Sequence, residues 1–226
     1  MTENELYKRS DETLGPFLID KGFHIAQPGE YLRRTEAGED RIGVSRGPPS
    51  KAKTHFAVFM SYEPDYLKPI YQLISLEGED RGFLCGPYLN PVAVTQRPKY
   101  WSYRDPETLA NSLRHVLQCL EQTGLPWLEM LRDPKVFASN VDPVAALPAG
   151  LAHEVAGNHD NAAQFYREML RRLQLVLDNR PSEQEWLALD AKPFIFVATK
   201  LGVEREKREE LQRRLNYYPN IEPLPR

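Results

Sequence analysis

Side chains able to bind metal or move protons are densest at His153-Glu154 and His159-Asp160. Two imidazoles share one helix face at four-residue spacing, as in HExxH, where both can reach one zinc ion. Here the spacing is six, and Gly157-Asn158 interrupts the helix between them. The group predicts polar residues around a helix–helix turn. His24, His55 and His115 stand apart from it. No GxSxG elbow presents a serine, and Cys119 falls where a buried helical residue would sit. Neither GxxxxGK[ST] nor GxGxxG occurs, and the turns Gly38-Glu39-Asp40 and Gly78-Glu79-Asp80 would repel phosphate. Paired carboxylates fall in turns or on solvated helix faces. The sequence therefore nominates no catalytic, cofactor-binding or metal-binding residue.

Basic and aromatic residues offer a different chemistry. Arg33, Arg34, Arg41, Arg46, Lys51 and Lys53 concentrate in one stretch, and Lys99, Tyr100, Trp101, Tyr103 and Arg104 in another. Aromatic and arginine side chains are enriched at protein interfaces. On an open sheet face they can also stack bases. Glu36, Glu39 and Asp40 lie among the arginines, which disfavours nucleic acid. The candidate partner-binding residues are Arg33, Arg46, Tyr100, Trp101 and Tyr103, with another protein as the expected partner. The bland use of the same residues is sheet-face packing with solubilising charge.

The elements that must position them are read from periodicity. Leu6, Ser10, Thr13, Leu14, Phe17 and Leu18 share a helical face, with Pro16 inside and Gly22 as the stop. From Phe23 the period becomes two. Tyr31–Thr35 is a strand, Glu36–Asp40 a turn, and Arg41–Arg46 a half-buried strand. Thr54–Tyr62, apolar on both faces, is a central strand. Short connections favour antiparallel pairing. A helical excursion is expected over Asp65–Leu76, and one or two short strands within Gly82–Tyr103, best at Lys99–Tyr103. Asp105-Pro106-Glu107 opens a helix whose stripe is Leu109, Leu113, Val116, Leu117 and Leu120, with Gly124 as its stop. Pro134 and Asp142-Pro143 bracket an irregular joint. Helices are expected next at Ala149–Ala156 and His159–Leu177, and Ser182-Glu183-Gln184-Glu185 caps another. Phe194–Ala198 suits helix or strand. Val203–Asn216 is a solvated helix anchored by Leu211 and Leu215.

Strands first and helices after is the segregated α+β pattern. The expected fold is an N-terminal helix on an antiparallel sheet of four to five strands, followed by a helical C-terminal half. The expected division is an α+β domain at 1–140 and a helical region at 141–226. With 226 residues, 41% hydrophobic, the chain can bury a core. Its 29 basic and 32 acidic residues supply no global attraction to nucleic acid or anionic lipid. The longest apolar runs, Phe56–Met60 and Phe194–Ala198, fall far short of the roughly 20 residues of a membrane span. The charged start MTENELYKRSDE lacks the apolar core of a signal peptide, so the expected location is cytoplasmic. Cys85 and Cys119 read as a reduced pair, though a disulfide stays open.

Two resemblances add to this. Leu14-Gly-Pro-Phe-Leu-Ile-Asp-Lys-Gly-Phe23 resembles an uncharacterised bacterial family, the domain of unknown function numbered 4304. The likeness continues through Tyr31, Arg33 and Arg34, a tryptophan-bearing strand at Trp101, and the Leu125-Pro126-Trp127 turn, covering about residues 5–140. It implies no catalytic signature. Related small domains include candidate immunity proteins of bacterial toxin systems, which act by binding. Leu151–Leu170 is similar to one tetratricopeptide helix pair, but no second copy occurs at a fixed period, so a single helical hairpin is expected. Together these imply a non-catalytic cytoplasmic binding protein, immunity- or accessory-factor-like. The alternative is a hydrolase or nucleic-acid-processing enzyme whose site assembles from distant residues.

Overall fold

The computed structural model describes residues 2–48, 54–68, 88–95, 97–141, 146–178 and 191–209. The chain is α+β and divides into two compact units, one from residues 1–65 with 82–137, the other from 66–81 with 138–226.

The first unit opens with α1, Glu3–Asp20, which begins in a capping box between Thr2 and Glu5. Pro16 lies within it. The helix ends in a Schellman arrangement: Phe23 N–H donates to Leu18 O (3.0 Å) and Gly22 N–H to Ile19 O (2.9 Å), with Gly22 at φ +84°. Glycine is needed there because a side chain strains the left-handed region. The chain then forms four antiparallel strands: β1 (His24–Gln27), β2 (Glu30–Arg34), β3 (Gly38–Arg46) and β4 (His55–Pro64). Beyond β4 lie three two-residue strands: β5 (Tyr88–Leu89), β6 (Val94–Thr95) and β7 (Trp101–Ser102). β5 and β7 both pair with β4, and β6 closes a hairpin on β5. Among the described residues the sheet therefore has seven strands, more than the four to five expected, because pairs this short leave little periodicity to read.

Register decides which face each residue takes. Asp40 pairs with Tyr62, Ile42 with Met60, and Val44 with Val58. On β2, Tyr31 stands opposite Ile42 and Arg33 opposite Asp40. These residues share the face that also buries Leu6, Leu14 and Leu18 of α1. The expected Glu36–Asp40 turn is shorter than its sequence suggests. β3 begins at Gly38, and Asp40 is an inward-facing strand residue. The reversal is confined to Thr35–Gly38, where Thr35 N–H and Oγ1 both donate to Gly38 O (2.9 and 3.0 Å).

Asp105 caps α2 (Pro106–Cys119) as its sequence predicts, its carboxylate accepting from Thr108 N–H at 2.8 Å. Leu109, Leu113 and Val116 are buried. Gly124 does not end the helix. The chain widens through a π-type turn, Leu120–Gly124, and continues as α3, Leu125–Met130. A glycine stops a helix by entering the left-handed region, whereas Gly124 keeps φ −68°. Its missing side chain admits β4 and β5: a Cβ there would meet Met60 Sδ at 2.9 Å and Leu89 Cδ1 at 3.0 Å. The helix α4, Pro134–Asn140, carries the chain into the second unit. Pro134 thus opens a helix where an irregular joint was expected.

In the second unit, α5 (Ala146–Val155) and α6 (His159–Asp178) form the expected hairpin, and α6 packs on α7 (Ala191–Lys200). The run Phe194–Ala198 is helical, with Val197 and Ala198 buried. Small residues bring α5 close to α6: Ala149 and Ala152 are buried, and the Tyr166 ring lies where a Cβ on Gly150 would stand. Gly157 turns the hairpin at φ +76° with open space around it. Gly157→Ala would therefore clash with nothing, yet it should lower stability by about 1 kcal/mol through backbone strain. Denaturant unfolding of the full chain measures this, and an unchanged midpoint would disprove it.

The expected helix over Asp65–Leu76 is described only in its first residues, a single 3₁₀ turn at Asp65–Leu67. Asp142-Pro143, the cap at 182–185, Cys85 and the anchors Leu211 and Leu215 lie outside the described residues. Among those described, no helix is long and apolar enough to cross a membrane.

Candidate functional site

Most arginines of the first unit are engaged within it. Arg9 pairs with Glu12 (3.0 Å), Arg34 with Asp65, Arg41 with Glu30 (3.0 Å) and Arg46 with Glu3 (2.5 Å). Arg33 is the most fully engaged. Its Nε donates to Asp40 Oδ2 at 2.8 Å, its terminal nitrogens to Lys21 O (3.2 Å) and Glu129 (2.8 Å), and its guanidinium lies 4.6 Å from the Phe23 ring centre. Arg132 approaches the same Asp40 oxygen at 3.4 Å and pairs with Glu129. Asp40 is fully buried, and its Oδ1 has no hydrogen-bond partner among the described residues. Burial pushes its pKa upward, against the opposing pull of Arg33 and Arg132. These groups join β2 and β3 to the end of α1 and to α3.

Of the sequence candidates, Arg33 and Arg46 are thus tied to other elements of their own unit. Trp101 and Tyr103 are 4% and 1% exposed. Trp101 stacks on Phe56 at 6.0 Å and meets His115 edge-on, and Tyr103 tilts against Phe56 at 6.3 Å. Tyr100 is half-exposed, and Lys99 and Arg104, which lie outside the two-residue strand, are exposed.

Next to this segment stands the β5–β6 hairpin. Leu89 is fully buried and pairs with Val94, anchoring the base. Across the tip, Asn90 N–H donates to Ala93 O at 3.0 Å. Asn90 Nδ2 lies within hydrogen-bond distance of Tyr88 O (3.2 Å), Thr95 Oγ1 (2.8 Å) and Arg97 O (3.2 Å). Thr95 Oγ1 in turn donates to Arg97 O at 2.9 Å. Pro91 fixes one backbone angle of the tip, and its carbonyl accepts from Thr123 Oγ1 at 3.5 Å. On this braced turn Val92 is 90% exposed. A lone exposed valine is ordinary; this one is the most exposed large hydrophobic among the described residues. Arg97 and Lys99, both exposed, form no ion pair among the described residues. Compared with family models, curated proteins and solved structures, the chain matches none. What marks the hairpin is its own geometry: an exposed apolar tip on a hydrogen-bonded turn.

Sequence periodicity did not single out Val92 or Arg97. The available signal was Asn90-Pro91, a turn dipeptide between two short apolar pairs.

A cleft of about 520 Å³ lies along α1, lined by Asn4, Tyr7, Lys8, Asp11, Glu12 and Pro28. One of its polar groups, Asp11, holds the β1–β2 turn. Asp11 accepts from Gly29 N–H (3.1 Å) and Tyr31 OH (2.8 Å), and Tyr7 OH donates to Glu3 (2.9 Å). Burial, reinforced by Glu3, pushes the Tyr7 phenol up to about 12.

In the second unit the sequence candidates His153 and Glu154 are engaged by their neighbours, and His159 and Asp160 are exposed. His153 stacks on Phe165 with ring centres 5.4 Å apart, and burial lowers its pKa. Glu154 accepts from Tyr166 OH (2.8 Å) and Lys200 (2.7 Å). Burial alone would raise the Glu154 pKa, but these two donors together hold it below the usual range. Among the described residues no three His, Cys, Asp or Glu side chains gather to hold a metal ion. Cys119 is a buried free thiol whose pKa burial raises, the opposite of an activated nucleophile.

Proposed function

We propose that the protein is a non-catalytic binding protein that engages another protein through the β5–β6 hairpin tip. The observation carrying this reading is Val92, 90% exposed on a loop immobilised by Asn90. An apolar side chain on a braced turn loses little conformational freedom on docking, so more of its burial energy appears as affinity. The finer reading, an immunity or accessory factor of a bacterial toxin system, rests only on the resemblance of the sequence motifs at residues 5–140, which no family model matches.

The test is affinity purification of the tagged full chain expressed from its own locus, beside a Val92→Asp variant of equal melting temperature. The expected result is one stoichiometric partner with the native chain, lost with Val92→Asp. A chain that purifies alone, or a partner that Val92→Asp retains, overturns the reading. If the partner is a toxin, co-expression of the native chain should restore growth and the variant should not.

A further inference from the structure

Independently of the hairpin, α1 and β1 frame a second surface. We infer that they form a docking groove for an extended segment of another protein. The segment adds to the sheet as a strand outside β1 and sets apolar side chains against Ile19, Ile25 and the α1 cleft.

β1 is the outermost strand of the sheet, pairing on one side with β2 and with no strand on the other among the described residues. All four of its residues, His24–Gln27, are exposed. In an antiparallel pair alternate residues turn their N–H and C=O outward, so this edge offers backbone donors and acceptors to a further strand. The strand holds no lysine or proline to repel one. Its register is interrupted between Ile25 and Gln27, which shortens the pairing available and leaves side chains along α1 to supply the rest of the contact.

Those side chains are in place. Ile25 stands opposite Tyr31, whose buried ring lies on the α1 side and whose hydroxyl reaches Asp11, so Ile25 points to the same side. A Cβ on Gly15 would lie 3.7 Å from Ile25 Cδ1, and Ile19 follows Gly15 by one helical turn. Ile19 and Ile25 are nevertheless 56% and 42% exposed, two large apolar groups together at an uncovered edge. Lys8 and Glu12 continue the same face of α1 into the cleft of about 520 Å³, which the Tyr7 and Pro28 rings also line. From Lys8 to Ile19 this face runs about 16 Å at a rise of about 1.5 Å per residue, the reach of roughly five strand residues.

The chemistry of the edge selects the occupant. Outward N–H and C=O groups are matched by the backbone of another strand, and by neither a phosphate chain nor a lipid. Lys8 and Glu12 put opposite charges beside the cleft, so no local field draws a polyanion. A second copy of this chain fits less well. β1 brings a single large apolar residue, Ile25, and ends at Pro28-Gly29, so two paired edges would leave the cleft empty. A foreign strand with apolar residues alternating on one face fills the cleft and covers both isoleucines.

The experiment pans the immobilised full chain against phage-displayed random peptides of roughly ten residues, long enough for a strand and its flanks. The best binder, as a synthetic peptide, is titrated against the native chain and against Ile19→Asp, Ile25→Thr and Val92→Asp, each checked for an unchanged melting temperature. The expected peptide carries alternating apolar residues. Its affinity should fall about tenfold in Ile19→Asp and in Ile25→Thr and stay unchanged in Val92→Asp. Amide exchange of the complex should show new protection within His24–Gln27, a mark of backbone pairing that side-chain contact alone would not leave. Four results overturn the inference: no enriched peptide, binding indifferent to both isoleucine substitutions, new protection only elsewhere, or self-association of the chain that Ile25→Thr abolishes. A binder lost in Val92→Asp alone places docking on the hairpin, which defeats the groove and leaves the hairpin reading standing.

Discussion

Arg33→Met will destabilise the first unit by about 3 kcal/mol, the low end of the loss expected when one partner of a buried ion pair is removed. Arg33 is 15% exposed and touches Asp40, the Lys21 carbonyl, Glu129 and the Phe23 ring. Without it, Asp40 keeps only Arg132 at 3.4 Å among the described residues, and Oδ1 stays unsatisfied. Methionine replaces most of the volume and none of the charge. The residual Arg132 contact is why the loss stays at the low end. Arg33→Lys should recover only part, because one ammonium cannot serve Asp40, Glu129 and a carbonyl together. Arg33→Met/Asp40→Leu should be more stable than Arg33→Met alone, since no buried charge is left behind. Denaturant unfolding of the three variants decides the matter. Equal losses in the single and double variants would show that Asp40 contributes nothing to the penalty.

The pH dependence has a definite sign. Burial raises the Asp40 pKa in the folded state above its unfolded value. The folded chain then binds a proton more tightly than the unfolded chain between those two values. Asp40's contribution to stability is fully present below the unfolded pKa, near the ordinary 3.8, and is lost as pH rises through the raised folded value. Removing Arg33 raises the folded value further, so the cost of Arg33→Met should grow as pH rises from the native folded value to the variant's higher one, where the native chain's stability has stopped falling and the variant's has not. A cost that instead shrinks as pH rises would contradict it.

Gly38→Ala will cost about 3 kcal/mol, at the upper end of ordinary overpacking. A Cβ at Gly38 would stand 2.9 Å from Pro64 Cα and 2.8 Å from Tyr62 Cε2, and closer still to the Glu63 carbonyl oxygen. Two of these three obstacles are backbone atoms, so no rotamer change relieves them. The start of β3 would have to separate from the end of β4, disturbing the Gly38–Pro64 and Asp40–Tyr62 pairs. Gly43→Ala is the useful comparison. The three atoms nearest its Cβ all belong to the half-exposed Phe59 ring, which can swing outward, so its loss should be smaller. Thermal unfolding of both variants gives the order, and a Gly43→Ala loss equal to or above that of Gly38→Ala would refute this account.

Elements with strong local chemistry are legible in the amino-acid order itself. Gly22 after a helical stripe predicts the end of α1, and Asp105-Pro106 predicts the start of α2, because capping is settled within one turn of chain. β4 is legible because its ten residues alternate and are apolar on both faces. Expectation and structure part where a residue type has two uses. Gly124 reads as a helix stop but clears space for Met60 and Leu89. Asp40 reads as part of an acidic turn but continues the Ile42–Val44 alternation inward. Phe194–Ala198 suits two periods, and packing in the second unit selects helix.

The proposed partner surface obeys the same rule. Composition places basic and aromatic residues at 99–104, but packing against Phe56 turns Trp101 and Tyr103 inward, while Tyr100 is half-exposed and Lys99, ahead of the two-residue strand, is exposed. Local order along the chain is thus enough for the α+β class, the helix boundaries with explicit caps and the central strand, since each depends on interactions within a few residues. Which arginines meet internal carboxylates, that Asp40 is buried, and that Val92 projects from a braced turn all emerge in three dimensions. Those outcomes depend on register and on side chains meeting across tens of residues, where one step of strand parity exchanges core for surface.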